Sequence, residues 1–263
     1  MSKRIVITGS TRGIGRGLAQ EFLARGCRVA ISGRSAAAVD RAVAEMGAAH
    51  DSDRVAGAAC DVTDPDQVRE LWRVATGTFG GVDIWINNAG VSIGRKPLWE
   101  QSDEDLARVV TVNLTGTLLG LKVAISEMLA QGHGQVWITE GFGSDGATTT
   151  GMAAYGATKR ATRYLRKALL ADTAGTPVQV GTLSPGIVVT DLLTGDYDAA
   201  SEEWARARRI FNILGDKVET VTPWLAEHVL AADKPGSHVA WLTRRKAFAR
   251  FMLATLRKRE LFD

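Results

Sequence analysis

The chain has 263 residues, enough for one large α/β domain or two small ones. Apolar residues make up 45% and charged residues 23%, which is ordinary for a soluble globular fold. A formal net charge of +3 suits a protein that handles anionic small molecules and is too weak to argue for a nucleic-acid partner.

Strand-like and helix-like patterns alternate along the chain. Arg4–Thr8 reads as a strand and Gly13–Ala24 as a helix. Cys27–Ser32 is a second strand, Ala36–Met46 a helix and Arg54–Cys60 a third strand. Pro65 sits at a helix start, where its missing N–H costs nothing, and Val68, Leu71, Trp72 and Ala75 form that helix's apolar stripe. Val82–Ile86 is a fourth strand, and Asp103 to about Gln131 is a long helical stretch. Gln135–Thr139 is a fifth strand, Ala153–Ala171 a helix, Val178–Leu183 a sixth strand and His238–Leu242 a short last one. Such alternation implies a parallel sheet covered by helices on both faces, and the absence of a linker or repeat implies one domain over 1–263.

The turn after the first strand is Thr8-Gly9-Ser10-Thr11-Arg12-Gly13-Ile14-Gly15. Glycines let the backbone turn sharply and approach a ligand, and the free N–H groups of the following helix favour an anionic pyrophosphate. The second strand ends Ile31-Ser32-Gly33-Arg34-Ser35, with no Asp or Glu between Cys27 and Val39. An acid there grips an adenosine ribose diol, whereas an arginine can pair with a 2′-phosphate. Arg12 and Arg34 therefore point to NADP(H) rather than NAD. Asp61, at the end of the third strand, reads equally as a partner for an adenine amine or as a local cap. Asn87-Asn88-Ala89-Gly90 closes the fourth strand, with amides able to tie neighbouring strand ends together. Tyr155 and Lys159 stand four apart on one helix face. A neighbouring ammonium favours the phenolate and lowers the phenol's ordinary pKa of about 10.

Cys27 and Cys60 make neither a disulfide framework nor a zinc spacing; they read as small buried apolar residues, and no metal is expected. The start has no signal-peptide pattern, and no stretch reads as the roughly 20 apolar residues of a membrane span. A reducing cytoplasm is the expected compartment.

Taken together, Thr8-Gly9-x-x-x-Gly13-Ile14-Gly15, Asp61-Val62, Asn87-Asn88-Ala89-Gly90, Val112-Asn113-Leu114, Tyr155-x-x-x-Lys159 and Ser184-Pro185-Gly186 resemble the short-chain dehydrogenase/reductases over essentially the whole length. The second half looks closer to the chlorophyll(ide) b reductase branch, through Ile138–Ser144, Ala154–Lys159, Ser184–Leu193, Phe211-Asn212-Ile213 and the closing Leu261-Phe262-Asp263. The resemblance implies a Rossmann-like doubly wound α/β fold with the dinucleotide at the carboxyl edge of the sheet, and a homo-oligomer, a dimer or tetramer. It implies that Gly9, Ser10, Thr11, Arg12, Gly13, Ile14, Gly15, Arg34, Asp61, Val62, Asn88, Ala89 and Gly90 line the nucleotide. Tyr155 would donate a proton to a carbonyl oxygen, Lys159 would lower its pKa and bind the nicotinamide ribose, and Asn113 would hold a water behind Lys159. Pro185, Gly186 and Ile187 would border the nicotinamide, with Thr190 on its amide or a phosphate.

The family's catalytic serine lies about thirteen positions before the tyrosine. Here that zone reads Glu140-Gly141-Phe142. Counted from the strand, the serine position falls on Gly141; the first available hydroxyl is Ser144, to which the oxyanion role is carried. Segment 191–220, with Leu192, Leu193, Tyr197, Trp204, Phe211, Ile213 and Leu214, is expected as a substrate lid or as helices packed on the core or a neighbouring subunit. The tail, about 244–260, has Phe248, Phe251, Met252, Thr255 and Leu256 at helical spacing with Arg245, Arg250, Arg257 and Lys258 opposite. Packing on the protein or a partner subunit is favoured there over a membrane surface. The expected activity is an NADPH-dependent reduction of a small-molecule carbonyl, such as the formyl group of chlorophyll b or a similarly bulky aldehyde. Dehydrogenation of a hydroxylated lipid, steroid or secondary metabolite, and a non-catalytic dinucleotide sensor, are the alternatives.

Overall fold

The computed structural model describes residues 2–195, 197–198, 200–254 and 259–262. In chain order its elements are β1 (Arg4–Ile7), α1 (Gly13–Ala24), β2 (Arg28–Gly33), α2 (Ala36–Ala49), β3 (Val55–Ala59), α3 (Pro65–Phe79), β4 (Ile84–Asn87), α4 (Asp103–Val110), α5 (Gly116–Gln131), β5 (Gly134–Thr139) and α6 (Ala153–Asp172). There follow β6 (Val178–Ser184), β7 (Val188–Val189), α7 (Asp191–Thr194), α8 (Glu202–Leu214), β8 (Asp216–Lys217), α9 (Val218–Ala231), β9 (His238–Ala240) and α10 (Arg244–Leu253). Seven strands form one parallel sheet in the order β3-β2-β1-β4-β5-β6-β9. The fold is the expected doubly wound α/β sheet.

Alternation along the strands divides the core into two layers. Ile5 and Ile7 of β1 face α1, α2 and α9, packing with Leu18, Phe22, Met46 and Leu225. Val6 between them faces α3, α5 and α6, in the layer that holds Trp72, Trp85, Leu121 and Val136. Most of these side chains are fully buried, and each contributes about 1.5–3 kcal/mol of transfer free energy. The helices begin where the sequence supplies acceptors: Ser35 accepts the Ala38 N–H at α2, and Asp64 accepts those of Asp66 and Gln67 at α3, with Pro65 in the first turn. Gly80, in the left-handed region, stops α3.

Helix α4 runs through a π turn, Thr111–Thr115, directly into α5. The whole stretch Asp103–Gln131 is long and apolar enough, by length and composition, to cross a membrane, with a mean hydropathy of 1.5. That corrects the expectation that nothing of this kind is present. The apolarity has a packing cause: Leu121, Ala124 and Met128 are buried against the second core layer.

Between β6 and β9 the chain leaves the sheet. It builds α7, α8 and α9, and β7 pairs with β8 in a small second sheet. Segment 191–220 is thus two helices, a strand and the start of α9. The tail departs from the expected arrangement. Phe248, Phe251, Met252 and Leu253 of α10 are exposed, while Arg250 turns inward. The cause is Asp216, 3% exposed, which accepts hydrogen bonds from Arg250, Arg259 and Trp241 Nε1. A buried carboxylate needs that counter-charge, and it draws the basic face of the helix against the protein. Thr255, Leu256, Arg257, Lys258 and Asp263 lie outside the described residues.

Candidate active site

The carboxyl ends of β1, β2, β4, β5 and β6 open on one cleft of about 1080 Å³. One of its walls is the glycine turn, and the opposite wall is α7 and α8. Strand β1 lies between β2 and β4, so the chain crosses from one side of the sheet to the other at this point. That is where open α/β sheets bind their ligands.

At the nucleotide end, the two faces of the turn are fixed by side-chain bonds. Thr8 Oγ1 accepts the N–H groups of Asn88 (3.0 Å) and Ala89 (3.1 Å). Asn88 Nδ2 donates to the carbonyls of Thr8 (3.0 Å) and Gly9 (2.9 Å). Asn87 Nδ2 reaches the Trp137 carbonyl on β5 (3.4 Å), so the adjacent amides do tie three strand ends together. Gly9 has φ +63°, and a Cβ on Gly15 would stand 2.5 Å from Asn88 Nδ2. Neither position admits a side chain, and the backbone of the turn is left bare toward the cleft.

Gly9, Thr11, Arg12, Gly13, Ile14, Gly15, Arg34, Asp61, Val62, Asn88, Ala89 and Gly90 all line the cleft. Ser10 does not. It is fully buried, donates to the Ile7 carbonyl (2.7 Å) and accepts the Ser32 N–H (2.9 Å), pinning β1 to β2 behind the turn. Asp61 serves locally, with Oδ1 accepting from the Thr63 N–H (2.9 Å) and hydroxyl (2.8 Å), while also facing the cleft. Arg34 is exposed at the end of β2. Arg12, also exposed, pairs at 3.3 Å with Asp191 across the cleft mouth. Cys27 and Cys60 are buried free thiols, and burial pushes Cys60 up to about 12, which makes it unreactive.

Tyr155 and Lys159 project from one face of α6 into the cleft, with Lys159 Nζ 5.9 Å from the centre of the Tyr155 ring. The ammonium donates to the Thr139 carbonyl at 3.4 Å. Burial pushes the Lys159 pKa down to about 8, and the charge of Glu140 opposes that shift. Glu140 is itself buried. Its carboxylate lies 3.5 Å from Arg163 Nε and 3.9 Å from His238 Nδ1.

Asn113 sits in the π turn and does not line the cleft. Its Oδ1 accepts the Val91 N–H (2.8 Å), and its Nδ2 donates to the Val91 carbonyl (2.9 Å) and to Thr158 Oγ1 (3.3 Å). The side chain braces the loop after β4 against α6, so it is a positioning residue rather than one on the reacting atoms.

Ser144, too, departs from its expected place. Its hydroxyl accepts the Gly141 N–H (2.9 Å) and donates to the Gly141 carbonyl (2.6 Å), closing a tight turn. It is 3% exposed and faces away from the cleft. The position that does face Tyr155 is Gly141, where a Cβ would stand 2.6 Å from the phenol oxygen. Gly141, the position reached by counting from the strand end, is thus the one beside the phenol, and Ser144 is not.

Pro185, Gly186, Ile187 and Thr190 line the far side of the cleft beside Lys159. Thr139 Oγ1, also in the lining, is buried with no hydrogen-bond partner among the described residues. A bare glycine backbone, one arginine in the turn and another at the β2 end, and an orphaned hydroxyl beside the lysine fit a nicotinamide dinucleotide laid along the strand ends. Arg95, Met152 and Val91 also line the opening. They lie in loops, or just before a helix, without any local motif to mark them.

A family model described as short chain dehydrogenase matches residues 3–200. The probable chloroplastic chlorophyll(ide) b reductase NYC1 of Oryza sativa subsp. japonica is 36% identical across 99% of this chain and 54% of its own length. Chlorophyll(ide) b reductase NOL of Arabidopsis thaliana is 40% identical across 94% of this chain and 72% of its own. The chain spans about half the length of the NYC1 relatives it matches. Among solved structures, a 3-ketoacyl-(acyl-carrier-protein) reductase from Brucella melitensis complexed with NADH superimposes with a TM-score of 0.78. The two are 25% identical, with 93% of this chain and 98% of that chain covered. With the glycine turn, the Tyr155–Lys159 face and the parallel sheet in place, the chain belongs to the short-chain dehydrogenase/reductase family of NAD(P)-dependent oxidoreductases.

Proposed function

We propose that the protein reduces a bulky aldehyde or ketone with NADPH, of the kind that the chlorophyll(ide) b reductases are named for. The observation that carries this is Tyr155 and Lys159 opening, on one helix face, into the same cleft as the glycine turn. NADPH supplies a hydride when bound. The bare backbone at Gly9–Gly15 and the arginines at positions 12 and 34 would hold its phosphates, and the unpartnered Thr139 hydroxyl would be available to it. Tyr155 holds the proton that passes to the substrate oxygen, and Lys159, charged below pH about 8, favours the phenolate left behind. Leu192, Leu193, Tyr197 and Phe211 give the substrate end a large apolar wall that sheds water. A homo-oligomer in a reducing cytoplasm accompanies this reading.

The test is NADPH oxidation with formyl-tetrapyrroles, aromatic aldehydes and ketosteroids, run beside Tyr155→Phe. Turnover should fall at least about 100-fold in the variant while NADPH still binds. Full activity of Tyr155→Phe refutes the mechanism. Tight NADPH binding with no turnover across the screen favours a sensor.

A further inference from the structure

The substrate end of the cleft has a broad apolar wall with a few charged side chains set into it, Arg95, Arg206 and Glu203 among them. Arg95 follows the loop after β4 and lines the opening beside Met152 and Tyr197. Its guanidinium carbon lies 4.5 Å from the centre of the Tyr197 ring, within cation–π range. Its Nε is buried and has no hydrogen-bond partner among the described residues. Among the described residues no carboxylate lies within 4.0 Å of Arg95, although most of the protein's other buried or half-buried guanidiniums are matched: Arg4 by Asp83, Arg54 by Asp51, Arg250 and Arg259 by Asp216. The guanidinium is half-buried, and its buried N–H is a donor that a ligand entering the cleft can complete. Arg206 of α8 lines the same end, exposed and also without a carboxylate within 4.0 Å. Glu203 shares the wall but pairs with neither. Arg12 and Arg34 stand at the other end, by the glycine turn, so the nucleotide phosphates do not account for Arg95.

We infer that Arg95 is the anchor for a carboxylate on the substrate, so that the preferred substrate is a bulky carbonyl compound bearing a free acid rather than its ester. The inference rests on the reductase reading and narrows it. A planar carboxylate takes two N–H donors from a guanidinium fork, including the one now unpaired, and the apolar wall around the pair strengthens the contact. Anchoring at Arg95 fixes the far end of the substrate while its carbonyl lies at Tyr155.

The experiment uses one formyl-tetrapyrrole monocarboxylate and its methyl ester, with the full chain and saturating NADPH. Wild type should show a KM for the acid at least about 10-fold below that for the ester, the size of a charge-assisted hydrogen bond. Arg95→Gln should raise the acid's KM to the ester's, and Arg95→Lys should restore part of the difference, because a point charge lacks the fork. Equal KM values in wild type, or a preference that survives Arg95→Gln, overturn the inference. If neither compound is turned over, the reductase reading fails on that substrate, and calorimetric binding to NADPH-loaded Tyr155→Phe protein decides about Arg95. Tighter binding of the acid, lost in the Arg95→Gln double variant, supports the anchor; equal binding, or binding of neither, refutes it.

Discussion

Gly141→Ala places a single methyl group against the reacting hydroxyl. The new Cβ would stand 2.6 Å from Tyr155 Oη and 3.1 Å from Lys159 Cγ and Cε, where ordinary contact begins at 3.4 Å. The phenol oxygen, or the backbone under it, has to retreat by about 0.8 Å, and a misplacement on the order of 1 Å costs roughly 100-fold in rate. Overpacking also costs about 1–3 kcal/mol of stability, because Tyr155 is held between Met152 and Ile93. The assays are kcat for NADPH oxidation, NADPH affinity by fluorescence titration and the melting temperature. A fall in kcat of about 30- to 100-fold, with NADPH affinity close to wild type, is expected. In the proposed reading the phosphates are held at the glycine turn, away from the new methyl. Wild-type kcat in Gly141→Ala refutes the argument that the empty space at this position is what lets the phenol reach its substrate.

Arg34→Asp should shift the preference from NADP toward NAD, read by titration with both cofactors; equal affinities in wild type would refute the role of the β2 end. With the Lys159 pKa near 8, the ammonium is present below that pH and lost above it, so kcat should decline as pH rises through about 8. Glu140→Gln removes the charge that holds the lysine's pKa up, so this basic limb should move to lower pH. A limb that stays put or moves upward refutes the coupling. Asp216→Asn leaves Arg250 and Arg259 short of their counter-charge and should cost about 3 kcal/mol, measured by denaturant unfolding; a change below the error of that method refutes the clasp.

Much of this site is legible because its determinants are local. A strand, a glycine turn and a helix follow one another within twenty-one residues, and Tyr155 and Lys159 share a face because a helix repeats every 3.6 residues. Placement fails where neighbours in sequence point to different sides. Ser10 lies inside the turn yet faces β2, because Gly9, at φ +63°, turns the backbone just before it. Ser144 is the nearest hydroxyl along the chain, but a turn closed on Gly141 folds it away. Arg250 reads as the polar side of an amphipathic helix until Asp216, far off in sequence and buried, draws it inward. Arg95 carries no pattern, and only the folding of the loop against Tyr197 marks it out.

The excursion between β6 and β9 has a further consequence. Thr182 and His238 face each other 56 positions apart, hydrogen-bonded at 2.8 Å, so this long loop leaves and returns at neighbouring points on the sheet. The entropy of closing a loop grows only logarithmically, and doubling its length costs about 0.6 kcal/mol. The wall that faces the substrate is therefore the part of the chain where insertions and deletions are thermodynamically cheap. The glycine turn, wedged between Asn88 and Ala89, has no such latitude. Descent with variation can lengthen, shorten or rebuild the substrate wall while the nucleotide half stays fixed, and one scaffold can take on new substrates without losing its fold.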